Sequence, residues 1–212
     1  MHHKELLKLY ETRKNEIKQR LKDFKEVMNF SDEQIFAELT FCLFTPQSKA
    51  KTCDLAVKRL VESNMLLKGD QKQIERYLEG VRFPANKAKY LVESRKFFMT
   101  ENGVRIKNHL KSFHSSHQAR DWLVKNIKGF GYKEASHFLR NIGLVEDLAI
   151  LDKHILKNLH EFGVINEIPK SITPKKYFEI ENRMKRFARE IGIPFAELDL
   201  LLWSKETGEI FK

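Results

Sequence analysis

Cysteine is scarce in this chain, with two residues, Cys42 and Cys53, among 212. Their separation does not match a zinc site or an iron–sulfur cluster, and a structural disulfide is not expected in a reducing compartment. Long apolar runs are also missing, since no segment approaches the ~20 residues that span a bilayer. The charged stretch 1–24 lacks the apolar segment of a signal peptide, so we expect an intracellular protein that does not use a membrane.

Strand patterns are equally scarce, because few β-branched residues alternate along the chain, whereas apolar residues recur at helical spacing. The sequence therefore predicts an all-α fold with about ten helices and no linker rich in glycine or serine. Ser31 and Gln34 have the spacing of a capping box, which predicts a helix start at Ser31. Pro84 and Pro174 favour the first turns of two later helices.

Acidic residues are outnumbered: Lys and Arg total 39 against 29 Asp and Glu, for a net charge of +10. This excess favours polyanionic partners, with nucleic acid ahead of an anionic membrane. A solvated basic surface without a partner is the alternative on charge alone. The length allows one domain or two closely packed lobes.

A hairpin motif stands near the middle of the chain, where Gly129 and Gly131 separate two amphipathic stretches, 117–127 and 132–142. Two glycines permit a tight turn that brings backbone N–H groups to the surface. The start of the following helix adds a positive dipole end, which suits a phosphate. The sequence thus predicts a DNA contact, flanked by Lys128, that does not read bases.

Two residues near this hairpin have the chemistry for an attack on a sugar. Lys133 lies roughly 200° around the helix from Ala135 on the core face, so it points away from the core. A lysine must lose its proton to act as a nucleophile, and both the first helical turn and burial under a nucleotide disfavour its charged form. Lys133 could also be a lysine that only contacts phosphate. Asp152, nineteen positions later, could also be a plain helix cap.

These residues carry a family resemblance. The stretch LVKNIKGFGYKEASHFLRNIG (123–143), followed by ILDKH (150–154), resembles the helix-hairpin-helix DNA glycosylases that have an aspartate after the hairpin. The resemblance implies that Lys133 is the nucleophile and Asp152 the second catalytic group. A Gly-X-Gly hairpin alone is weakly specific, but hairpin, lysine and aspartate in register are strongly specific.

The resemblance also implies an architecture of two helical lobes flanking a cleft. A central lobe is expected over 31–142, with the helix-hairpin-helix at about 117–142. A second lobe is expected from both chain ends, 1–30 together with 143–212. Lys133 and Asp152 would then meet across the cleft.

Further roles follow only from the resemblance. The backbone carbonyls of Lys125, Ile127 and Phe130 would hold an optional monovalent cation, and no cofactor is required. His154 matches a phosphate contact, with an exposed helix histidine as the alternative. Gln47 matches a wedge that fills the gap left by an extruded base. Phe83 could stack on the opposite strand, with a core phenylalanine as the alternative.

Missing cysteines and the presence of Lys133 restrict the branch of the family that the chain resembles. The iron–sulfur branch carries four cysteines near its C-terminus, which this chain lacks, and adenine-mismatch members usually lack the lysine. The segments TPQSKA (45–50) and FPANKAKY (83–90) and the final lysine resemble the compact second type of 8-oxoguanine DNA glycosylase/lyase. Trp203 and Lys212 would then hold the flipped base. Their alternatives are a core tryptophan and a frayed terminus.

The resemblance implies a monomeric DNA-repair enzyme acting on duplex DNA that contains an oxidised base. It would release 8-oxoguanine and nick the strand through a lysine Schiff base and β-elimination. One alternative is the same chemistry on an oxidised pyrimidine. Another is a non-catalytic helix-hairpin-helix protein that binds DNA structure and needs neither Lys133 nor Asp152.

Overall fold

The computed structural model describes residues 2–144 and 147–212, and within these ranges the fold is built from twelve α-helices. The helices are α1 (His2–Glu26), α2 (Asp32–Phe44), α3 (Ala50–Glu62), α4 (Met65–Lys68), α5 (Gln71–Glu75), α6 (Pro84–Arg95), α7 (Ile106–Lys111), α8 (Ser116–Asn126), α9 (Tyr132–Asn141), α10 (Lys153–Glu161), α11 (Pro174–Ile191) and α12 (Phe195–Thr207). The prediction of an all-α fold is confirmed. A 3₁₀ turn, Val27–Asn29, follows α1.

Two details differ from the sequence expectation. Residues Met99–Thr100 (β1) and Gly103–Val104 (β2) form a small antiparallel hairpin, which the all-α expectation did not include. The short helices α4 and α5 were not predicted, because one or two turns give too few apolar positions to establish a helical period.

Local sequence signals explain where the longer helices begin. The Ser31 side chain accepts a hydrogen bond from the Gln34 backbone N–H, and the Gln34 side chain accepts one from the Ser31 backbone N–H. This is the predicted capping box, which satisfies two backbone N–H groups at the start of α2. Pro84 and Pro174 occupy the first turns of α6 and α11, as expected.

Buried apolar side chains fall into two clusters. The first draws mainly on α2, α3, α6, α8 and α9, and the second on α1, α10, α11 and α12. In the second cluster Ile17 of α1 and Leu201 of α12 are both fully buried, although they come from opposite ends of the chain. A cleft runs between two helical lobes, and the hairpin helices α8 and α9 lie on one side of it. No helix in the described part of the chain is long and apolar enough to cross a membrane.

Candidate active site

The cleft has a volume of about 930 Å³ and is lined by charged, polar and apolar side chains from distant parts of the sequence. Lys133 comes from the first turn of α9, Asp152 from the start of α10 and Trp203 from α12. The predicted pair of Lys133 and Asp152 therefore lines one cavity, and so do Trp203, Lys212 and His154.

The hairpin turn between α8 and α9 depends on Gly129. Its φ angle is +88°, in the region that side chains other than glycine rarely adopt. A Cβ atom at this position would also lie 2.7 Å from Cδ2 of Tyr90. The turn is therefore held by close packing against α6 as well as by backbone geometry.

Gly131 differs from the sequence expectation in one respect. Its φ angle is −103°, which any residue can adopt, and its backbone N–H donates to Glu134 Oε2 at 3.1 Å. That N–H is therefore bonded within the protein in this structure, and a contact between Gly131 and a phosphate stays a prediction. The spacing of Glu134, three residues after Gly131, is the signal of a capping box that sequence reasoning missed.

Lys133 is surrounded by polar groups and remains partly accessible from the cleft. Its Nζ lies 3.4 Å from Glu134 Oε1 and 3.5 Å from Thr45 Oγ1, and 22% of its side chain is exposed. Thr45 follows the last residue of α2 and begins the TPQSKA segment. The amine is therefore held at the cleft wall by weak contacts that an entering sugar could replace.

Asp152 caps α10 and also faces the cleft. Its Oδ1 accepts hydrogen bonds of 2.8 Å from the backbone N–H groups of His154 and Ile155. The capping role uses one carboxylate oxygen, so the cap alternative and a chemical role are compatible.

Lys212 is not a frayed terminus. Its Nζ lies 2.7 Å from Glu38 Oε1 and 2.8 Å from Asp54 Oδ1, and it sits 4.6 Å from the centroid of the Phe41 ring. Burial would lower the pKa of Lys212, but the two carboxylates outweigh it and the pKa lies above its ordinary value. The last residue of the described chain is thus anchored at the cleft by its own side chain.

Two predicted DNA-inserting residues have unusual backbone geometry. Gln47 and Phe83 have φ angles of +56° and +57°, and only Asn64 joins them among the non-glycine residues that the structure describes. Asparagine tolerates this region, whereas a phenylalanine there is strained. Gln47 is exposed and lines the cleft, and Phe83 is 50% exposed, so it is not a core residue. Their insertion into DNA stays a prediction.

The buried Lys87 side chain joins the segment after α2, which carries Gln47, to the turn before α6, which carries Phe83. The Nζ of Lys87 donates to the backbone oxygens of Phe44 and Pro46 at 2.6 and 2.8 Å, and to Ser48 Oγ at 3.0 Å. Ser48 Oγ in turn accepts the backbone N–H of Arg82 at 2.9 Å. Lys87 thereby ties the segment that carries Gln47 to the turn that precedes α6.

Lys87 is expected to make stability depend on pH. It is 5% exposed, and burial lowers its pKa to about 8. Between pH 8 and the ordinary lysine value the unfolded chain binds more protons than the folded one, so the free energy of unfolding rises with pH. Relative to a Lys87→Met variant, we expect the wild type to gain about 3 kcal/mol across this window. Urea unfolding at pH values below and above this window measures the gain, and parallel pH curves for the two proteins would contradict it.

Several cleft residues were not found from the sequence, among them His137 and Arg140 on α9 and Asp199 on α12. Arg140 Nη1 lies 3.0 Å from Asp199 Oδ2. His137 is 7% exposed, and neither ring nitrogen has a hydrogen-bond partner within the described ranges. Burial, together with nearby Arg140 and Lys133, holds the pKa of His137 well below its ordinary value. The only indication of His137 and Arg140 in the sequence was helical spacing, since they follow Lys133 by about one and two turns of α9.

The outer parts of the hairpin lie away from the cleft. Lys128 is exposed and its Nζ lies 3.4 Å from Glu93 Oε2. Of the carbonyls predicted to hold a monovalent cation, those of Lys125, Ile127 and Phe130, the Ile127 oxygen accepts the Phe130 N–H at 3.0 Å. Among the described residues no group of three or more His, Cys, Asp or Glu side chains could hold a metal ion.

A hairpin between two helices, two helical lobes and a cleft lined by a lysine and an aspartate define the helix-hairpin-helix DNA glycosylase class. The sequence profile of one branch, described as 8-oxoguanine DNA glycosylase, matches residues 17–193. The chain belongs to this 8-oxoguanine DNA glycosylase family.

Individual relatives agree over nearly the whole chain. An 8-oxoguanine DNA glycosylase/AP lyase of Fusobacterium nucleatum is 45% identical over 98% of this chain and 96% of its own length. One from Methanocaldococcus jannaschii is 39% identical over 97% and 98%.

Solved structures show the same similarity. The M. jannaschii 8-oxoguanine glycosylase/lyase, in complex with 15mer DNA containing 8-oxoguanine, matches with a TM-score of 0.90 at 38% identity and covers 100% of both chains. The 8-oxoguanine DNA glycosylase of Thermotoga maritima matches with a TM-score of 0.87 at 36% identity, covering 99% of this chain and 98% of its own.

Proposed function

We propose that this protein removes 8-oxoguanine from duplex DNA and then nicks the strand at the abasic site, as an N-glycosylase and AP lyase. The observation that carries the proposal is the meeting of Lys133, Asp152, Trp203 and Lys212 in one cleft. Relatives named for this activity match the chain end to end. A similar structure contains DNA with the same lesion.

Lys133 is the nucleophile in the proposed reaction. Its neutral Nζ attacks C1′ of the deoxyribose, and the glycosidic bond breaks with its electron pair leaving on the base, which takes up a proton. The sugar ring opens to give a Schiff base between Nζ and C1′. Loss of a proton from C2′ then expels the 3′ phosphate, which nicks the strand by β-elimination.

Asp152 is the second catalytic group in this proposal. A carboxylate facing the sugar stabilises the positive charge that develops on the ring as the glycosidic bond breaks. It can also accept the proton that Lys133 must lose before it attacks. The partly exposed Trp203 offers a ring on which an extruded purine can stack, worth about 1–3 kcal/mol.

The direct test incubates the protein with three duplexes: one with 8-oxoguanine, one with an oxidised pyrimidine and one without damage. Base release and strand nicking are scored separately, and borohydride is added to reduce a Schiff base to a stable adduct. We expect release, nicking and an adduct on the 8-oxoguanine duplex. Preference for the oxidised pyrimidine, or equal binding of all three without chemistry, would overturn the proposal in favour of the two alternatives.

The proposal also covers the two lobes, the contacts with duplex DNA, the oligomeric state and the cation at the hairpin. The two hydrophobic clusters support a central lobe over 31–142 and a second lobe from 1–30 and 143–212. The net charge of +10 supports binding to a polyanionic duplex. Proposed contacts with that duplex are made by Gln47, Phe83, Lys128, Gly129, Gly131 and His154. We also propose that the protein acts as a monomer inside the cell. An optional monovalent cation would bind at the hairpin carbonyls.

We expect Lys212 to affect recognition of the damaged base and not the reaction of Lys133 with the sugar. Replacing Lys212 by methionine removes the contacts with Glu38 and Asp54 that anchor the segment beside Trp203. We expect release of 8-oxoguanine to slow about 10–100-fold, which corresponds to about 1.4–2.7 kcal/mol. Nicking of a duplex with a preformed abasic site should change little, because that substrate has no base to hold.

Lys58→Met is the matched control for this variant. Lys58 also pairs with Asp54, at 2.8 Å, but its side chain is 64% exposed and it does not line the cleft. This control should retain both activities, since exposed ion pairs contribute little to stability. Equal losses of base release and abasic-site nicking in Lys212→Met would contradict a role in base recognition.

A further inference from the structure

A fully buried ion pair joins the first hairpin helix to the second lobe. Arg120 of α8 is 1% exposed, and its guanidinium donates to both carboxylate oxygens of Glu181 on α11, at 2.7 and 3.2 Å. Three aromatic rings, those of Tyr132, Tyr177 and Phe178, lie 5.1–5.9 Å from the guanidinium carbon. The pair is thus held in one geometry by hydrogen bonds and by ring packing.

Side chains of this ion-pair network also hydrogen-bond to the backbone of Ala149, in the segment that leads to Asp152. Glu181 Oε2 accepts the backbone N–H of Ala149 at 2.7 Å, and the Tyr177 hydroxyl donates to the Ala149 carbonyl at 2.7 Å. Both polar groups of Ala149 are therefore bonded by side chains of α11. Burial raises the pKa of Tyr177, so its hydroxyl stays protonated and remains a donor. Ala149 lies three residues before Asp152.

Contacts of this group also reach both sides of Lys133 on α9. Arg120 Nη1 lies 3.4 Å from Ser136 Oγ, three residues after Lys133. The ring of Tyr132, the residue just before Lys133, packs against the guanidinium and the Tyr177 ring. One buried network therefore touches the helix that carries the amine and the segment that carries the carboxylate.

Stability alone gives a poor account of this network. A buried ion pair loses its hydration, and well-packed apolar residues in its place are often as stable. Bond-forming chemistry, by contrast, responds strongly to small errors in the placement of the reacting groups. We propose that Arg120, Glu181 and Tyr177 are positioning residues that set the alignment of Lys133 with Asp152 across the cleft. This inference rests on the proposed function.

Tyr177→Phe is the sharpest test, because it removes one hydroxyl and keeps the ring. We expect the single-turnover rate of adduct formation on 8-oxoguanine duplex to fall at least tenfold at saturating protein. The Kd for duplex carrying a non-cleavable lesion analogue should change less than twofold. Tyr10→Phe is the matched control, since the buried Tyr10 hydroxyl donates to Glu197 at 2.8 Å between α1 and α12, and neither residue lines the cleft. It should retain the rate despite a comparable loss of thermal stability.

A double variant, Arg120→Met with Glu181→Leu, separates stability from positioning. It removes both charges together, so we expect it to melt near the wild-type temperature while its rate stays at least tenfold low, because Ala149 loses its side-chain acceptor. A double variant with wild-type rate would overturn the inference, and so would equal rate losses in Tyr177→Phe and Tyr10→Phe. Failure of the proposed function looks different, since the wild type itself would then release no 8-oxoguanine.

Discussion

Replacing Lys133 by glutamine is expected to abolish the borohydride-trapped adduct between this protein and DNA. Glutamine has a similar length and can still contact polar groups, but its amide nitrogen cannot form a Schiff base. Without the covalent intermediate, β-elimination has no route, so strand nicking should fall by at least about 10³-fold. Gel separation of the reduced reaction mixture measures the adduct and the nicked strand together.

The position of Lys133 makes this variant informative. Its amine lies at the cleft wall beside Thr45 and Glu134, at 3.5 and 3.4 Å, and both contacts are long. Removing the charge should therefore leave folding nearly unchanged, with a difference in unfolding free energy within about 1 kcal/mol. A lost adduct with an unchanged thermal transition then reports on chemistry.

Lys128→Gln is the comparison that separates a nucleophile from a phosphate contact. Lys128 is on the same hairpin, but its side chain is 61% exposed and does not line the cleft. We expect this variant to bind every duplex somewhat more weakly and to lower the salt dependence of binding by about one unit. It should still form the adduct. An unchanged adduct in Lys133→Gln would show that another amine attacks the sugar.

Local signals made much of the fold predictable. The capping box of Ser31 and Gln34, the prolines that open α6 and α11, and the glycine turn each act over a few residues. The pairing of Lys133 with Asp152 followed from the family resemblance. The structure brings both side chains to one cleft, and their catalytic roles stay a prediction.

Long-range contacts could not be read from the sequence. Arg120 and Glu181 are 61 positions apart, and each looks like a surface charge on a polar helix. Lys87 resembles a solvated lysine until the carbonyls of Phe44 and Pro46 are brought to it by the packing of α6 against α2. The bond between the Gly131 N–H and the Glu134 side chain was missed for a local reason, since the capping box at the start of α9 begins with a glycine and not with serine or threonine.

Asp152→Asn is expected to slow base release by about 10²–10⁴-fold while the protein remains folded. Asparagine is as good a helix cap as aspartate, so the hydrogen bonds from the His154 and Ile155 N–H groups can be kept. The variant removes the negative charge that would face the developing positive charge on the sugar and accept the proton of Lys133.

Comparison with Asp152→Ala separates the role of Asp152 as a helix cap from its role as a charged catalytic group. Alanine loses the cap as well as the charge, so its unfolding free energy should fall by about 1 kcal/mol below that of the asparagine variant. Both variants should lose base release to a similar extent, because both lack the carboxylate. Single-turnover assays and urea unfolding on the three proteins provide the two readouts. If Asp152→Asn releases 8-oxoguanine at the wild-type rate while Asp152→Ala is slow, Asp152 acts only as a cap and the chemical step has another carboxylate.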